Sequence, residues 1–141
     1  MLQGNITPQL VEIETIKTNA VLAIVGYRFY NDWDDCIKHI GNTLAEWKLP
    51  VDKISAVVSG GAMGADKLAE RFAKSYNLHM IVYKPDWKKH GRAAGILRNS
   101  DIINACTHCI AFPSPKGKGT QDSIKKAQQS GKVLKVIEVC K

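Results

Sequence analysis

Residues 59–66 read Ser-Gly-Gly-Ala-Met-Gly-Ala-Asp, behind the apolar run 54–58 and ahead of an amphipathic segment. A glycine-rich turn between a strand and a helix is a place to hold an anion. Glycine adopts dihedrals closed to other residues and lets a ligand approach the main chain. The open N–H groups and the positive end of the helix dipole then favour negative charge. Ser59, Gly60, Gly61, Ala62 and Gly64 are therefore expected to contact a ligand, and Gly61→Asp to abolish binding while leaving the fold intact. Asp66 falls in the first helical turn, where it either caps the helix or meets a ribose hydroxyl or an arginine.

Three more segments of similar chemistry follow apolar runs: Gly26-Tyr27-Arg28, residues 84–87 with Asp86 and Trp87, and residues 112–120 with Lys116, Lys118, Gly119 and Thr120. Arg28 is either solvated or forks onto a phosphate or carboxylate. Trp87 either lids the core or stacks on a base. The amides ahead of the last helix could hold a second phosphate. Arg98 and Asn99 interrupt an apolar helical pattern, so the arginine needs a partner: Asp66, Asp101 or the ligand. Two glycine loops on one rim would grip the two ends of a dinucleotide or an ADP-ribose-like molecule.

The elements that position these residues follow from hydrophobic periodicity. Short apolar runs at 21–25, 54–58, 79–83, 108–112 and 133–139 read as strands. Trp33, Ile37, Ile40, Leu44 and Trp47 step by three or four, as do Leu68, Ala69, Phe72 and Tyr76, so helices lie between the runs. A third helix is expected around 93–103 and a fourth over 120–129, closed by Gly131. Trp87 is placed in a polar loop. The alternation over 10–16 fits an extra N-terminal edge strand, so residues 1–19 read as an extension or edge strand and 20–141 as one domain. Strands apolar on both faces and alternating with helices predict an α/β fold: one doubly wound, mainly parallel, five-stranded Rossmann-like sheet with helices on both faces. Ligands of such sheets bind beyond the carboxyl ends of the strands, where the strand order reverses.

At 141 residues the chain suits one domain with a real core, and 45% hydrophobic with 23% charged residues is ordinary for a globular protein. No run is long enough to span a membrane, and the first residues lack a signal-peptide pattern, so a cytoplasmic location is expected. The net charge of +7 suits an anionic partner, with Lys84, Lys88, Lys89, His90 and Arg92 as its one tight cluster. Cys106 and Cys109 form C-x-x-C, but no second pair completes a zinc site. The bland reading, small thiols where a helix end runs into a buried strand, is preferred. No metal and no cofactor are expected. The P-loop and G-x-G-x-x-G patterns are both absent, which removes NTPase and hydride chemistry.

Taken together, Ala23-Ile24-Val25-Gly26-x-Arg28, the 59–66 octet, Asp86-Trp87, Ala93-Ala94-Gly95-x-x-Arg98-Asn99, and Ala111-Phe112-Pro113 with Gly119-Thr120 resemble the YspA-like branch of the SLOG superfamily. That superfamily also holds the Smf/DprA DNA-processing proteins and the cytokinin-activating LOG enzymes. The resemblance covers nearly the whole chain. It implies a Rossmann-like fold and a pocket for nucleotides or nucleotide-derived signals. Two positions depart. Tyr27 stands where the branch usually has a small serine. Ser123 stands where LOG enzymes carry a catalytic glutamate, and the neighbouring Asp122 is rotated by about 100° on a helix.

Three functions follow. The first is a sensor or sequestering protein for a nucleotide or nucleotide-derived molecule, ADP-ribose-like or a signalling nucleotide. The second is a LOG-like N-glycosidic hydrolase or phosphoribohydrolase, which needs a carboxylate near the ribose; Asp66, Asp86 and Asp122 are available and none is assigned as catalytic. The third is a single-stranded nucleic-acid binder using Tyr27, Phe29, Tyr30 and Trp87 with Lys88 and Lys89. The apolar face with Trp33 and Trp47 could serve for pairing as a homodimer.

Overall fold

Side chains alternate across each strand, so a strand buried on both sides must be apolar throughout. Ala20–Gly26, with sequence AVLAIVG, meets that demand and forms the central strand β1. The computed structural model describes residues 19–139. After β1 come α1 (Trp33–Glu46), β2 (Ile54–Ser59), α2 (Ala65–Ser75), β3 (His79–Val82), the one-turn α3 (Trp87–His90), α4 (Ala94–Ala105), β4 (His108–Phe112), α5 (Lys118–Gln129) and β5 (Val133–Val136). The strands pair in parallel in the order β3-β2-β1-β4-β5.

Leu22 and Ile24 send their side chains to one face of the sheet, against Cys36, Ile40 and Leu44 of α1 and Leu68, Ala69 and Phe72 of α2. Ala23 and Val25 face the other way, against Ile102 and Ile103 of α4 and Ile124 and Ala127 of α5. The chain thus winds outward from β1 to β3 with its helices on one face, then returns across β1 to wind through β4 and β5 with helices on the other. The reversal falls between β1 and β4.

Local signals set the helix ends. Asp32 caps α1 by accepting from the Asp35 N–H at 3.1 Å, and Asp34 and Asp35 favour its dipole. Asn77 (φ +55°) ends α2, and the Leu78 N–H donates to the Ala73 carbonyl at 2.8 Å.

Some expectations shift. Trp87 heads a helical turn rather than lying in a loop, because Asp86 accepts from the Lys89 N–H at 3.1 Å and caps it. β5 ends at Val136 instead of 139. The proposed edge strand over 10–16 lies outside the described residues. Among the described residues, no helix is long and apolar enough to cross a membrane.

Candidate functional site

The point of reversal between β1 and β4 opens into a cleft of about 770 Å3. Its lining comes from the end of β1 and the turn after it, the start of α2, the middle of α4, the loop after β4 and the start of α5. Of the residues singled out in the sequence, Gly26, Arg28, Ala62, Asp66, Arg98, Asn99, Gly119 and Thr120 line it. Ser59, Gly60, Gly61, Gly64, Asp86 and Trp87 do not line it.

The glycines of the 59–66 turn are explained by protein contacts. Gly64 opens α2 with φ +72° and ψ −125°, a conformation that side chains avoid. A Cβ there would meet the backbone of Tyr27 and Arg28, so the turn packs directly onto the end of β1. Gly61 has φ +73°, and a Cβ on it would lie 2.7 Å from Val82 Cγ1. A side chain on Gly60 would strike the Arg98 guanidinium, and one on Gly26 would lie 2.6 Å from Ala65 Cβ. The expectation that Gly61→Asp leaves the fold intact is therefore corrected: that position cannot take a side chain without strain. From this turn, Ala62 and Asp66 reach the cleft.

Arg98 and Asn99 tie the two sides of the cleft together. Arg98 Nη1 donates to the Gly60 carbonyl at 2.8 Å and Nε to Asn99 Oδ1 at 3.0 Å. The amide of the buried Asn99 donates to the Gly119 carbonyl at 3.2 Å and to Asp122 Oδ2 at 3.1 Å. Lys126 Nζ meets the same Asp122 oxygen at 2.7 Å and the Ile96 carbonyl at 2.8 Å. One dipeptide on α4 thereby fixes both the turn after β2 and the first turn of α5. The partner the sequence requires for Arg98 is the Gly60 carbonyl and the side chain of Asn99, with Asp66 close enough to interact electrostatically.

The three available carboxylates separate by environment. Asp86 caps α3 and Asp122 is engaged by Asn99 and Lys126. Asp66 is 7% exposed, lines the cleft and accepts from the Ala62 N–H at 3.0 Å. Burial pushes its carboxyl above the usual aspartate range, against the opposing pull of the Ala62 amide and Arg98 and with a small push from Glu70.

The far side of the cleft suits an anion. Gly117 gives α5 no side-chain cap, so the first N–H groups of this 12-residue helix lack a side-chain partner, and Gly119 and Thr120 of that turn line the cleft. Thr120 and Ser123, residues only 7% and 2% exposed, line the cleft, and their hydroxyls have no hydrogen-bond partner among the described residues. Arg28 and Lys116 add positive charge at the lining. Sequence reasoning assigned no ligand contact here to Ser114, Pro115 or Ile102, and it noted Phe29 only as an aromatic for nucleic acid. A turn residue beside Arg28 was the one available signal for Phe29.

The C-x-x-C pair behaves as core. Cys106 follows α4 and donates its thiol to the Ile103 carbonyl at 3.3 Å, while Cys109 lies in β4. Burial raises both thiols above the ordinary range, away from the thiolate that redox or metal chemistry needs. Among the described residues, no group of three His, Cys, Asp or Glu side chains could hold a metal ion. Trp33 and Trp47 are half-buried, under the Arg71 guanidinium at 4.3 Å and beside the His108 ring at 5.0 Å. Lys84, Lys88, Lys89, His90 and Arg92 are all exposed, on and around α3.

Sheet order and cleft position define a Rossmann-like α/β domain with its cleft at the point of reversal. A family model described as YAcAr, the YspA, cpYpsA-related SLOG family, matches residues 20–90, half of the chain, and the chain belongs to that family. The match runs from β1 through α3; Arg98, Asn99, Gly119 and Thr120 lie beyond it. Among curated proteins, the Gene 61 protein of Mycobacterium phage D29 is 38% identical over 81 residues, 53% of this chain and 65% of the relative. The match thus spans less than two thirds of that relative's length. No solved structure matches the chain.

Proposed function

We propose that the cleft binds a nucleotide or nucleotide-derived small molecule, of the ADP-ribose or signalling-nucleotide kind, and that the protein senses or sequesters it. The observation that carries this reading is the uncapped start of α5 beside the hydroxyls of Thr120 and Ser123, which have no partner among the described residues, in a cleft that also holds Arg28 and Lys116. Amides at a helix start, hydroxyls and a guanidinium are phosphate ligands. Asp66 suits the other part of such a molecule: a carboxyl disfavours phosphate but accepts from ribose hydroxyls. The location agrees with the rule for open α/β sheets, and membership in the SLOG family supports a nucleotide-related ligand.

Native mass spectrometry of freshly purified protein, followed by denaturation and identification of any released small molecule, tests the reading. A released compound containing phosphate and a nucleobase is expected; a released ligand without phosphate contradicts it.

A second reading has its own support. A buried carboxyl with a raised pKa in a cleft can hold a proton and act as a general acid toward a departing base. As an N-glycosidic hydrolase, the protein would release free base from a nucleotide panel, and Asp66→Asn would abolish the release. Turnover unaffected by that change excludes Asp66 from the chemistry.

A further inference from the structure

Phe29 is 74% exposed, more than any other large hydrophobic residue among those described, and it also lines the cleft. An aromatic ring left in water forgoes the burial that its surface favours, so its position calls for an explanation. The backbone around it is built to hold it out. The Tyr30 N–H donates to the Tyr27 carbonyl at 3.2 Å, which closes a tight turn with Arg28 and Phe29 at its corners. The turn is anchored at both ends. The Tyr27 N–H donates to the Phe112 carbonyl at 3.1 Å. Tyr30 is buried, its ring centroid lies 4.8 Å from that of Phe112, and its hydroxyl donates to Asp35 at 2.7 Å. The Arg28 guanidinium sits over the Phe29 ring, 5.2 Å from its centroid.

We infer that Phe29 is the base-stacking residue of the cleft, and that its ligand carries a heteroaromatic base. This rests on the nucleotide reading above and adds which end of the molecule goes where. The phosphate lies at the start of α5, and the base leaves the cleft over the 27–30 turn. Every base has a π-face, and a ring carried on an anchored turn needs little backbone ordering when a base stacks on it. Arg28, already paired with the ring, places positive charge between base and phosphate. Pro115, from the loop after β4, lines the same cleft and adds a second apolar contact.

The test is a calorimetric titration of wild type, Phe29→Ala and Phe29→Trp with AMP, ADP-ribose and ribose 5-phosphate. Wild type binds AMP or ADP-ribose more tightly than ribose 5-phosphate. Phe29→Ala weakens the base-bearing ligands by about tenfold or more, leaves ribose 5-phosphate unchanged, and Phe29→Trp restores affinity. Phe29 is exposed, so the variants should keep the wild-type melting temperature. The inference is overturned if ribose 5-phosphate binds as tightly as AMP, if Phe29→Ala changes no affinity, or if it weakens all three ligands equally. Wild type that binds none of the three, nor the other nucleoside monophosphates, overturns the nucleotide reading and this inference with it.

Discussion

Gly61 and Gly119 lie in the two loops that the sequence marks for ligand contact, yet substitution has opposite consequences at each. Gly61 combines φ +73° with a crowded neighbour, so Gly61→Asp is expected to lower stability by roughly 1–3 kcal/mol, read as a reduced urea midpoint. Gly119 has open space where a Cβ would stand, and it lines the cleft in the first turn of α5. Gly119→Glu should fold normally and repel an anion. The sequence made the glycines visible but not their reasons. Spacing cannot tell a glycine that admits a ligand from one that admits Arg98 or the Tyr27–Arg28 backbone. Asp66 gives a pH signature. Its folded pKa is raised above the ordinary 3.8, so between that value and the folded one the native state holds more protons than the unfolded chain. Stability from the neutral carboxyl is present in full at lower pH and declines as pH rises through the folded pKa. Urea midpoints of Asp66→Asn and wild type should therefore diverge as pH increases, with the variant gaining relative to wild type. A constant difference across pH would show that folding does not perturb Asp66.

At the scale of elements, α4 sets the cleft without supplying most of its surface. Asn99 is buried and serves Arg98, the Gly119 carbonyl and Asp122 together. Asn99→Ala removes three part-buried hydrogen bonds at once and is expected to cost about 1–3 kcal/mol, measured by chemical denaturation, and to weaken anion binding because α5 loses its tie to α4. Unchanged stability would mean that water replaces the amide at no cost. Most helix and strand placement was legible because the pattern is clear: Trp33, Ile37, Ile40 and Leu44 step along α1, and residues 21–25 form one apolar run on β1. The partner of Arg98 was not, since a carbonyl at residue 60 carries no side-chain signal. Nor was α3, which depends on one cap from Asp86.

For the whole molecule, the winding of the sheet decides where chemistry can occur. Residues from five places in the sequence meet only because the chain reverses between β1 and β4. A cleft at that point was predictable from the βα alternation, whereas Asp86 and Trp87, expected there, do not line it. The net charge of +7 is spread over the chain, and the exposed cluster around α3 is not part of the cleft lining. Binding of a small anion in the cleft should therefore depend on salt far less than binding of a polyanion, whose affinity falls steeply as counterions compete. The most direct test is calorimetric titration of wild type and Gly119→Glu, matched for melting temperature, with nucleoside phosphates and ADP-ribose. At least one ligand should bind wild type with one-to-one stoichiometry, and the variant should lose about tenfold or more of that affinity. Equal affinity in the two proteins, or no binding to wild type by any of these ligands, would contradict an anion site at the start of α5.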